Sequence, residues 1–547
     1  RYHPDWPALR GALGQVQVQG NIGEVTLSEG QVGGIALESG RVRIEPAASG
    51  VRVDVETGIR RQGEFLTEQW RHSSPLPDML GEWVRDARLS GPVAADLGIS
   101  VWPGVERDPE FDLSFDFEGV DFRLGKADLR WQELTGGVRY DSASGVESTT
   151  LDARFLDAPV SLRVEEGAET GMVIRQQGTA AVGAIENWLG SYLIGLSGNL
   201  DYEASLRPPE GPLLRLDADL APVESTLPRP LNKAAGDAHS LTTTLDFSGD
   251  ERWIVDGNWS PLGAFRMVIA DGVLERGSVA LGVRSTRLPE APVLRVTGAV
   301  PYLNPAEWNP VLEARAETPG SGSGGSSMPD VRFNLAIEQT EVAGRNMGRV
   351  RVEGESQSRT GWRIGVSGDR IEGVFRVPGT TGAPLGVELV NLDIPNAGDP
   401  DDAGAKPGAG VLAGSWPKAD VSVDNLRFQG RDFRNLRFLV RPEPERMAIR
   451  DMSFSTADLE LTGDLTWQPA KTPGTTEFSG TLAGGSLKGL ESLLGQPVPI
   501  RNRRSRASLD FAWPGGPVDL KLASLEAEIG FRLENGTIDE ETDASRI

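Results

Sequence analysis

The sequence predicts an all-β protein built from repeated, mostly antiparallel β-meanders with a few short helices. Hydrophobic and polar residues alternate with a period of two in many short runs. Between the runs, 67 glycines and 37 prolines among the 547 residues gather in turn-like clusters. Long stretches with helical periodicity are rare. Together these features indicate many short strands rather than helices.

The alternation is clearest at residues 111–117. Phe111, Leu113, Phe115 and Phe117 fall on one face, and the residues between them are Asp or Ser. Strands with one apolar and one polar face are typical of antiparallel sheets that have water on one side. The same pattern recurs at residues 15–19, 51–55, 241–247, 331–337, 509–513, 520–522 and 529–533.

Strands recur about every dozen residues, which gives roughly 40 strands and, at about 4.8 Å each, a sheet on the order of 190 Å long. Turns are predicted at residues 249–250, 353–354 and 535–536, where Gly stands beside Asp, Glu or Asn. An ordinary sandwich does not hold so many strands. The chain therefore forms either several sandwiches or barrels, or one long ribbon of sheet.

Short helices are predicted at residues 77–85, 184–189, 305–309 and 487–494, where apolar residues have helical spacing. Two of them begin a weak internal repeat, in which a short helix ends at Gly and a strand containing Leu-Asp-aromatic follows. The helices divide the chain into five segments, with flexible Gly-rich loops at 318–330 and 396–410. The segments are 1–75, 76–183, 184–303, 304–486 and 487–547, which together are expected to form one continuous sheet.

The charge and composition exclude several classes of function. The formal net charge is −24 with a pI near 4.7, so nucleic acid is not an expected partner. The chain has no Cys, and therefore no disulfide and no thiolate chemistry. It contains no apolar run of 18 residues. It begins with Arg1 rather than Met, so we expect an excised segment with a membrane anchor upstream.

Motifs for catalysis are missing. The three histidines, His3, His72 and His239, are far apart in sequence, and neither a G-x-S-x-G nor a Walker-type motif occurs. The many carboxylates alternate with apolar residues, as on a wet strand face. We predict no catalytic residue, no metal and no cofactor.

One basic cluster stands out in this acidic chain. Its arginines either contact a phosphate, such as a lipid head group, or form a polar strand face. They are Arg501, Arg503, Arg504 and Arg506.

The apolar strand faces are the remaining candidates for a binding site. They form either a closed core between two sheets or an open groove, and the alternation is identical in both cases. The candidate lining residues are Phe111, Leu113, Phe115, Phe117, Leu241, Leu245, Phe247, Phe333, Leu335, Ile337, Leu509, Phe511 and Trp513.

Several motifs in a fixed order carry a family resemblance across most of residues 70–540. They are Trp188-Leu189-Gly190 with residues 196–202, residues 226–233 (TLPRPLNK), residues 271–277 with Leu281-Gly282, Trp416-Pro417 with residues 425–428, residues 459–467 with 478–482, and residues 512–517 (AWPGGP). In this order they resemble the YhdP family of AsmA-like proteins.

The resemblance implies a long, curved sheet with a hydrophobic groove. It implies a non-enzymatic protein of the Gram-negative periplasm that carries phospholipid between the inner and outer membranes and supports the outer-membrane permeability barrier. The inner-membrane anchor expected at the N-terminus is missing, and more sheet is expected beyond Ile547. Two rival hypotheses remain open. One is a structural array of closed β-sandwiches without lipid, and the other is a glycan-active enzyme with two convergent carboxylates.

Overall fold

The structure is a computed structural model, and strands make up most of what it describes. The all-β prediction is confirmed. The structure describes residues 9–32, 35–36, 39–48, 50–64, 67, 87–124, 129–167, 171–189, 195–207, 213–247, 252–270, 273–308, 310–311, 329–342, 345–357, 361–380, 382–394, 417–428, 430–456, 458–469, 474–490 and 500–538.

The chain divides into two compact units. The first comprises residues 1–227, 231–275 and 284–288, and the second comprises residues 228–230, 276–283 and 289–547. The five-segment division expected from the sequence stays a prediction.

The strands of the first unit mostly pair antiparallel with their neighbours in sequence. They are β1 Leu9–Gln19, β2 Ile22–Val32, β3 Ile35–Ala36, β4 Ser39–Ala47, β5 Gly50–Gln62, β6 Ala87–Ser90, β7 Pro92–Val101, β8 Glu110–Leu124, β9 Leu129–Asp141, β10 Gly145–Ser148, β11 Leu151–Phe155, β12 Ala158–Gly167, β13 Gly171–Ala181, β14 Leu196–Ser197, β15 Asn199–Arg207, β16 Leu213–Asp219, β17 Glu224–Ser225, β18 Ser240–Asp246, β19 Arg252–Ser260 and β20 Gly263–Ala270.

The second unit continues the same architecture from Arg276, within β21. Its strands are β21 Val273–Leu281, β22 Val293–Leu303, β23 Asp330–Val342, β24 Arg345–Gln357, β25 Gly361–Gly368, β26 Ile371–Pro378, β27 Leu385–Ile394, β28 Ala419–Phe428, β29 Arg431–Pro442, β30 Met447–Thr456, β31 Leu459–Gln468, β32 Thr475–Gly484, β33 Ile500–Arg501, β34 Arg504–Pro514, β35 Glu526–Glu534 and β36 Thr537–Ile538.

Among the described residues of the second unit, three strand pairs run parallel: β21 with β22, β22 with β23, and β27 with β28. Parallel neighbours cannot be joined by a tight turn and need a long connection. The segments 304–329 and 395–418 supply two of these connections. They contain the predicted loop 396–410 and all of the predicted loop 318–330 except Asp330, which begins β23. These loops lie mostly outside the described residues.

The short helices were predicted with mixed success. Helix α1, Val182–Leu189, confirms the one predicted at 184–189, and residues 305–308 are helical. The helix predicted at 487–494 begins as the 3-10 helix Leu487–Leu490. The rest of that segment and the helix predicted at 77–85 lie outside the described residues.

The turn predicted at Glu353-Gly354 is wrong. Both residues lie inside β24, and Gly354 pairs with Phe333 and Ile364. A Cβ at position 354 would collide with the ring of Phe333, so this glycine makes room for an aromatic neighbour rather than a turn.

The strand predicted at residues 520–522 is also wrong. Residues 520 and 521 lie between the 3-10 helices Pro517–Asp519 and Leu522–Ser524, and Leu522 begins the second helix. Pro517 begins the first of them, and the Asp519 carboxylate accepts a hydrogen bond from the Gly516 N–H at 2.8 Å. Local turn chemistry therefore outweighs the apolar spacing of Leu520 and Leu522.

Candidate functional site

Strand register aligns apolar side chains of the first unit into continuous rows. Residues directly opposite each other in paired strands share one face of the sheet. At about 4.8 Å per strand, the row that starts at β1 extends about 24 Å across the strands. From β1 to β8 it consists of Val16, Val25, Val42, Val55, Ile99 and Phe111.

A second row in the first unit contains larger side chains. It crosses β12, β13, β15, β16, β18, β19 and β20 without a polar residue. Its members are Val164, Ile174, Leu206, Leu214, Leu245, Val255 and Met267.

The second unit has rows of the same kind. From β21 to β29 the paired residues are Val279, Val296, Phe333, Gly354, Ile364, Phe375, Val387, Val421 and Phe438. From β29 to β35 they are Val440, Ile449, Leu465, Phe478, Phe511 and Ala527. The apolar residues stay opposite one another whether the paired strands run parallel or antiparallel.

The candidate lining residues lie on or beside these rows. Leu113 pairs with Leu97 and Tyr140, Leu241 pairs with Ala218 and Trp259, and Phe117 pairs with Val93. Four candidates are buried, and the others are partly exposed. The buried ones are Phe247, Ile337, Leu509 and Trp513. That this set lines a lipid groove stays a prediction.

Aromatic rings lie across cross-strand glycines, a feature that the sequence analysis missed. Phe265 covers its partner Gly257, and Phe478 lies against Gly463. A side chain at either glycine would collide with the ring. Such pairs fill the space beside a glycine and keep the apolar surface continuous. Only the register shows which glycine faces which ring.

A polar network is buried inside the apolar cluster of the first unit. Gln176, which is 6% exposed, accepts a hydrogen bond from Trp131 Nε1 at 2.6 Å and donates one to the Tyr202 hydroxyl. Burial raises the pKa of Tyr202 to about 12, despite the opposing hydrogen bond from Gln176. The network joins β9, β13 and β15, and nothing in the sequence pattern indicated it.

A loop between β16 and β18 is held by a buried lysine. Lys233 is 3% exposed, and its Nζ donates hydrogen bonds to the carbonyls of Ala221, Val223 and Ala234 at 3.1, 2.7 and 3.1 Å. All three ammonium protons are thereby satisfied. This lysine closes the TLPRPLNK motif, so this end of the motif has a structural role.

The described arginines of the basic cluster, Arg503, Arg504 and Arg506, are exposed. Arg506 pairs with Arg532 on β35, and Arg504 pairs with Glu534. Like charges placed directly opposite repel each other, and an anion between them would relieve the repulsion. The side chain of Arg501 lies outside the described residues. The head-group contact stays a prediction.

A cleft of about 920 Å³ lies against the polar face of β11 to β18. Most of the carboxylates that line it are already engaged. Asp201 accepts from Thr179 at 2.6 Å, Glu203 accepts from Gln177 at 2.9 Å, and Asp217 contacts Arg215 at 2.8 Å. The cleft therefore lies on the face opposite the apolar rows, and both polar and apolar residues line it.

Metal ligands do not gather within the described ranges, where no three His, Asp or Glu side chains come together as they would around an ion. His3 and His72 lie outside those ranges. The described helices are too short or too polar to span a membrane.

Comparison with known proteins gives one family and one curated relative. A family model described as "YhdP protein" matches residues 1–547. The chain is similar to a protein of Escherichia coli (strain K12) named "Intermembrane phospholipid transporter YhdP". The two are 22% identical over 575 aligned positions, which cover 98% of this chain and 43% of the relative. The chain thus spans less than half the length of that relative. No solved structure matches the chain significantly.

Proposed function

The chain belongs to the YhdP protein family, and from this premise we propose that it carries phospholipid acyl chains along its apolar rows without performing covalent chemistry. The observation that carries the proposal is the register. In each unit, one face of the sheet carries hydrocarbon side chains across many consecutive strands.

The energetics favour a continuous path. Each CH₂ group of an acyl chain gains about 0.8 kcal/mol on leaving water, so a 16-carbon chain needs on the order of 12 kcal/mol of shelter. A gap of one polar strand would expose several methylenes at once. The row from Val16 to Phe111 contains no such gap and begins on an exposed surface, so a chain can move along it while staying covered.

The place of this activity is the Gram-negative envelope. In this proposal the protein lies in the periplasm, is anchored in the inner membrane, and passes phospholipid toward the outer membrane, whose permeability barrier it supports. The printed name of the E. coli relative, an intermembrane phospholipid transporter, supports this assignment. The exposed arginines of β34 are proposed to contact lipid phosphates.

The second candidate is a structural protein whose two faces are simply a packed core and a wet surface. It is favoured by the buried cluster of the first unit, which runs from Ala87 to Phe247 and contains many buried side chains. In this reading no lipid is bound.

Lipid content separates the two candidates. The conduit predicts that the purified 547-residue protein, analysed by native mass spectrometry and by solvent extraction, carries phospholipid and transfers it between vesicles. Val16→Asp, placed on an exposed part of a row, should slow transfer severalfold, and Gln17→Asp on the opposite face should not. Lipid-free protein that transfers nothing would exclude the conduit and leave the structural candidate.

A further inference from the structure

Three buried polar atoms on β18, β19 and the residue that precedes β18 have no hydrogen-bond partner in the described part of the chain. They are His239 Nδ1, Thr243 Oγ1 and Trp259 Nε1. Buried polar groups in folded proteins are nearly always paired, and unpaired ones are found where water or a ligand supplies the partner.

The register places these three residues next to one another on one face of the sheet. His239, Leu241 and Thr243 alternate along the chain and therefore share a face, and Leu241 pairs directly with Trp259. The His239 and Trp259 rings are in edge contact, with centroids 6.4 Å apart. Thr243 is a diagonal neighbour of Trp259, within reach of an aromatic side chain.

These three residues lie on the apolar face of the sheet. Thr243 is 6% exposed, and its partner on β19 is Gly257, over which the Phe265 ring lies. Leu241, Trp259 and the neighbouring Leu216 are partly exposed, so a ligand lying on this face meets them first. The polar atoms thus lie among apolar side chains of the same face.

The local charge selects the kind of ligand. Trp259 Nε1–H can only donate a hydrogen bond, and the Thr243 hydroxyl can donate one. Burial, and then the nearby Lys233 ammonium, lower the pKa of His239 against the opposing pull of Asp237, so the imidazole is neutral at pH 7. The buried Lys233 ammonium also places a positive charge near His239. Free donors near a cation favour an acceptor oxygen.

We propose that Thr243, Trp259 and His239 form a polar subsite that binds an oxygen of a glycerophospholipid, either an ester carbonyl or a phosphate oxygen, while its acyl chains lie on the adjacent apolar row. The subsite rests on the proposed conduit function. It would hold a lipid at this one position in the first unit, whereas the apolar rows alone would bind it equally well at every position.

The test compares two substitutions, each of which removes one hydrogen-bond donor, and two ligands. Affinity is measured by displacement of a fluorescent fatty acid with a diacyl phosphatidylethanolamine and with a long-chain alkane. Thr243→Val and Trp259→Phe should each weaken phospholipid binding about fivefold, the effect of one hydrogen bond, and leave alkane binding unchanged. A dialkyl-ether analogue identifies the oxygen. The loss persists with the analogue if the phosphate is bound and disappears if the ester carbonyl is bound.

Thr340→Val is the matched control, because Thr340 is equally buried, its Oγ1 is also unpaired, and it lies in the second unit. It should leave both affinities unchanged. Unchanged phospholipid affinity in the Thr243 and Trp259 variants, or an equal loss for alkane and phospholipid, would overturn the subsite and leave the conduit intact. Wild-type protein that binds neither ligand would overturn the conduit and the subsite together.

Discussion

Two stretches of the first unit share one sequence pattern and differ in how their apolar faces are covered. In β1 to β5 the apolar face consists mainly of valines, and Val16 and Val18 are 68% and 73% exposed. In β12 to β16 the equivalent row contains Val164 and Leu206, which are 7% and 5% exposed. Period-two alternation therefore determines which face is apolar and leaves open whether that face is covered.

The difference follows from the neighbours. The buried cluster begins at Ala87 and contains Leu, Trp and Phe side chains long enough to cover adjacent rows. Trp131, for example, stacks against both Phe122 and Phe155, with ring centroids 5.4 and 5.5 Å away. Valine is too short to reach the next row. One region thus gains its stability from packed side chains, and the other offers apolar surface that a lipid chain can cover.

The largest expected effect comes from placing a charge in the two rows. Val164→Asp puts a carboxylate into a buried site and should lower the free energy of unfolding by more than about 4 kcal/mol. Val16→Asp, the same substitution on the exposed row, should change it by less than about 0.5 kcal/mol. Urea denaturation followed by circular dichroism measures both. Equal effects would mean that the rows do not differ in burial.

A smaller effect is expected from the buried polar network. Gln176→Ala leaves Trp131 Nε1–H and the Tyr202 hydroxyl without their partner and should cost about 2–3 kcal/mol. Gln177→Ala is the control, because the adjacent Gln177 side chain is exposed and donates its hydrogen bond to the exposed Glu203. It should cost less than about 0.5 kcal/mol. If thermal denaturation shows the same loss of stability in both variants, the stability of the packed region does not depend on this network.

The smallest expected effect is the pH dependence from His239. Its folded-state pKa lies below the value of about 6.5 expected in the unfolded chain, so the unfolded state binds the proton more readily. Stability contributed by the neutral imidazole is therefore complete above pH 6.5 and is lost as the pH falls below it. His239→Gln should reduce the difference in melting temperature between pH 7 and pH 5. An unchanged difference would contradict burial of a neutral imidazole.

The sequence predicted the part of the fold that depends on local alternation. The runs at 111–117 and 331–337 are strands whose apolar faces match their neighbours. It failed where register or turn chemistry decides the outcome, as at Gly354 and at residues 520–522. The parallel pairs were missed as well, although the long loops at 318–330 and 396–410 were the signal that could have indicated them.

The candidate site was predictable only in part for the same reason. The Phe and Leu residues of the strands were identified by their spacing. Gln176 and Thr243 are polar, and a polar residue on an apolar face looks like an interruption until its cross-strand partners are known. The glycines under Phe265 and Phe478 likewise have meaning only in the folded register.

The most direct test of the central claim is a comparison of adjacent residues on opposite faces. Phe115 lies on the apolar face beside Ala95 and Val138, and the exposed Asp116 points to the other side. A photo-crosslinking amino acid is placed at each position in turn, and the protein is irradiated with phospholipid vesicles. The account predicts covalent phospholipid adducts at position 115 and none at position 116. Equal labelling at both positions, or none at position 115, would contradict it.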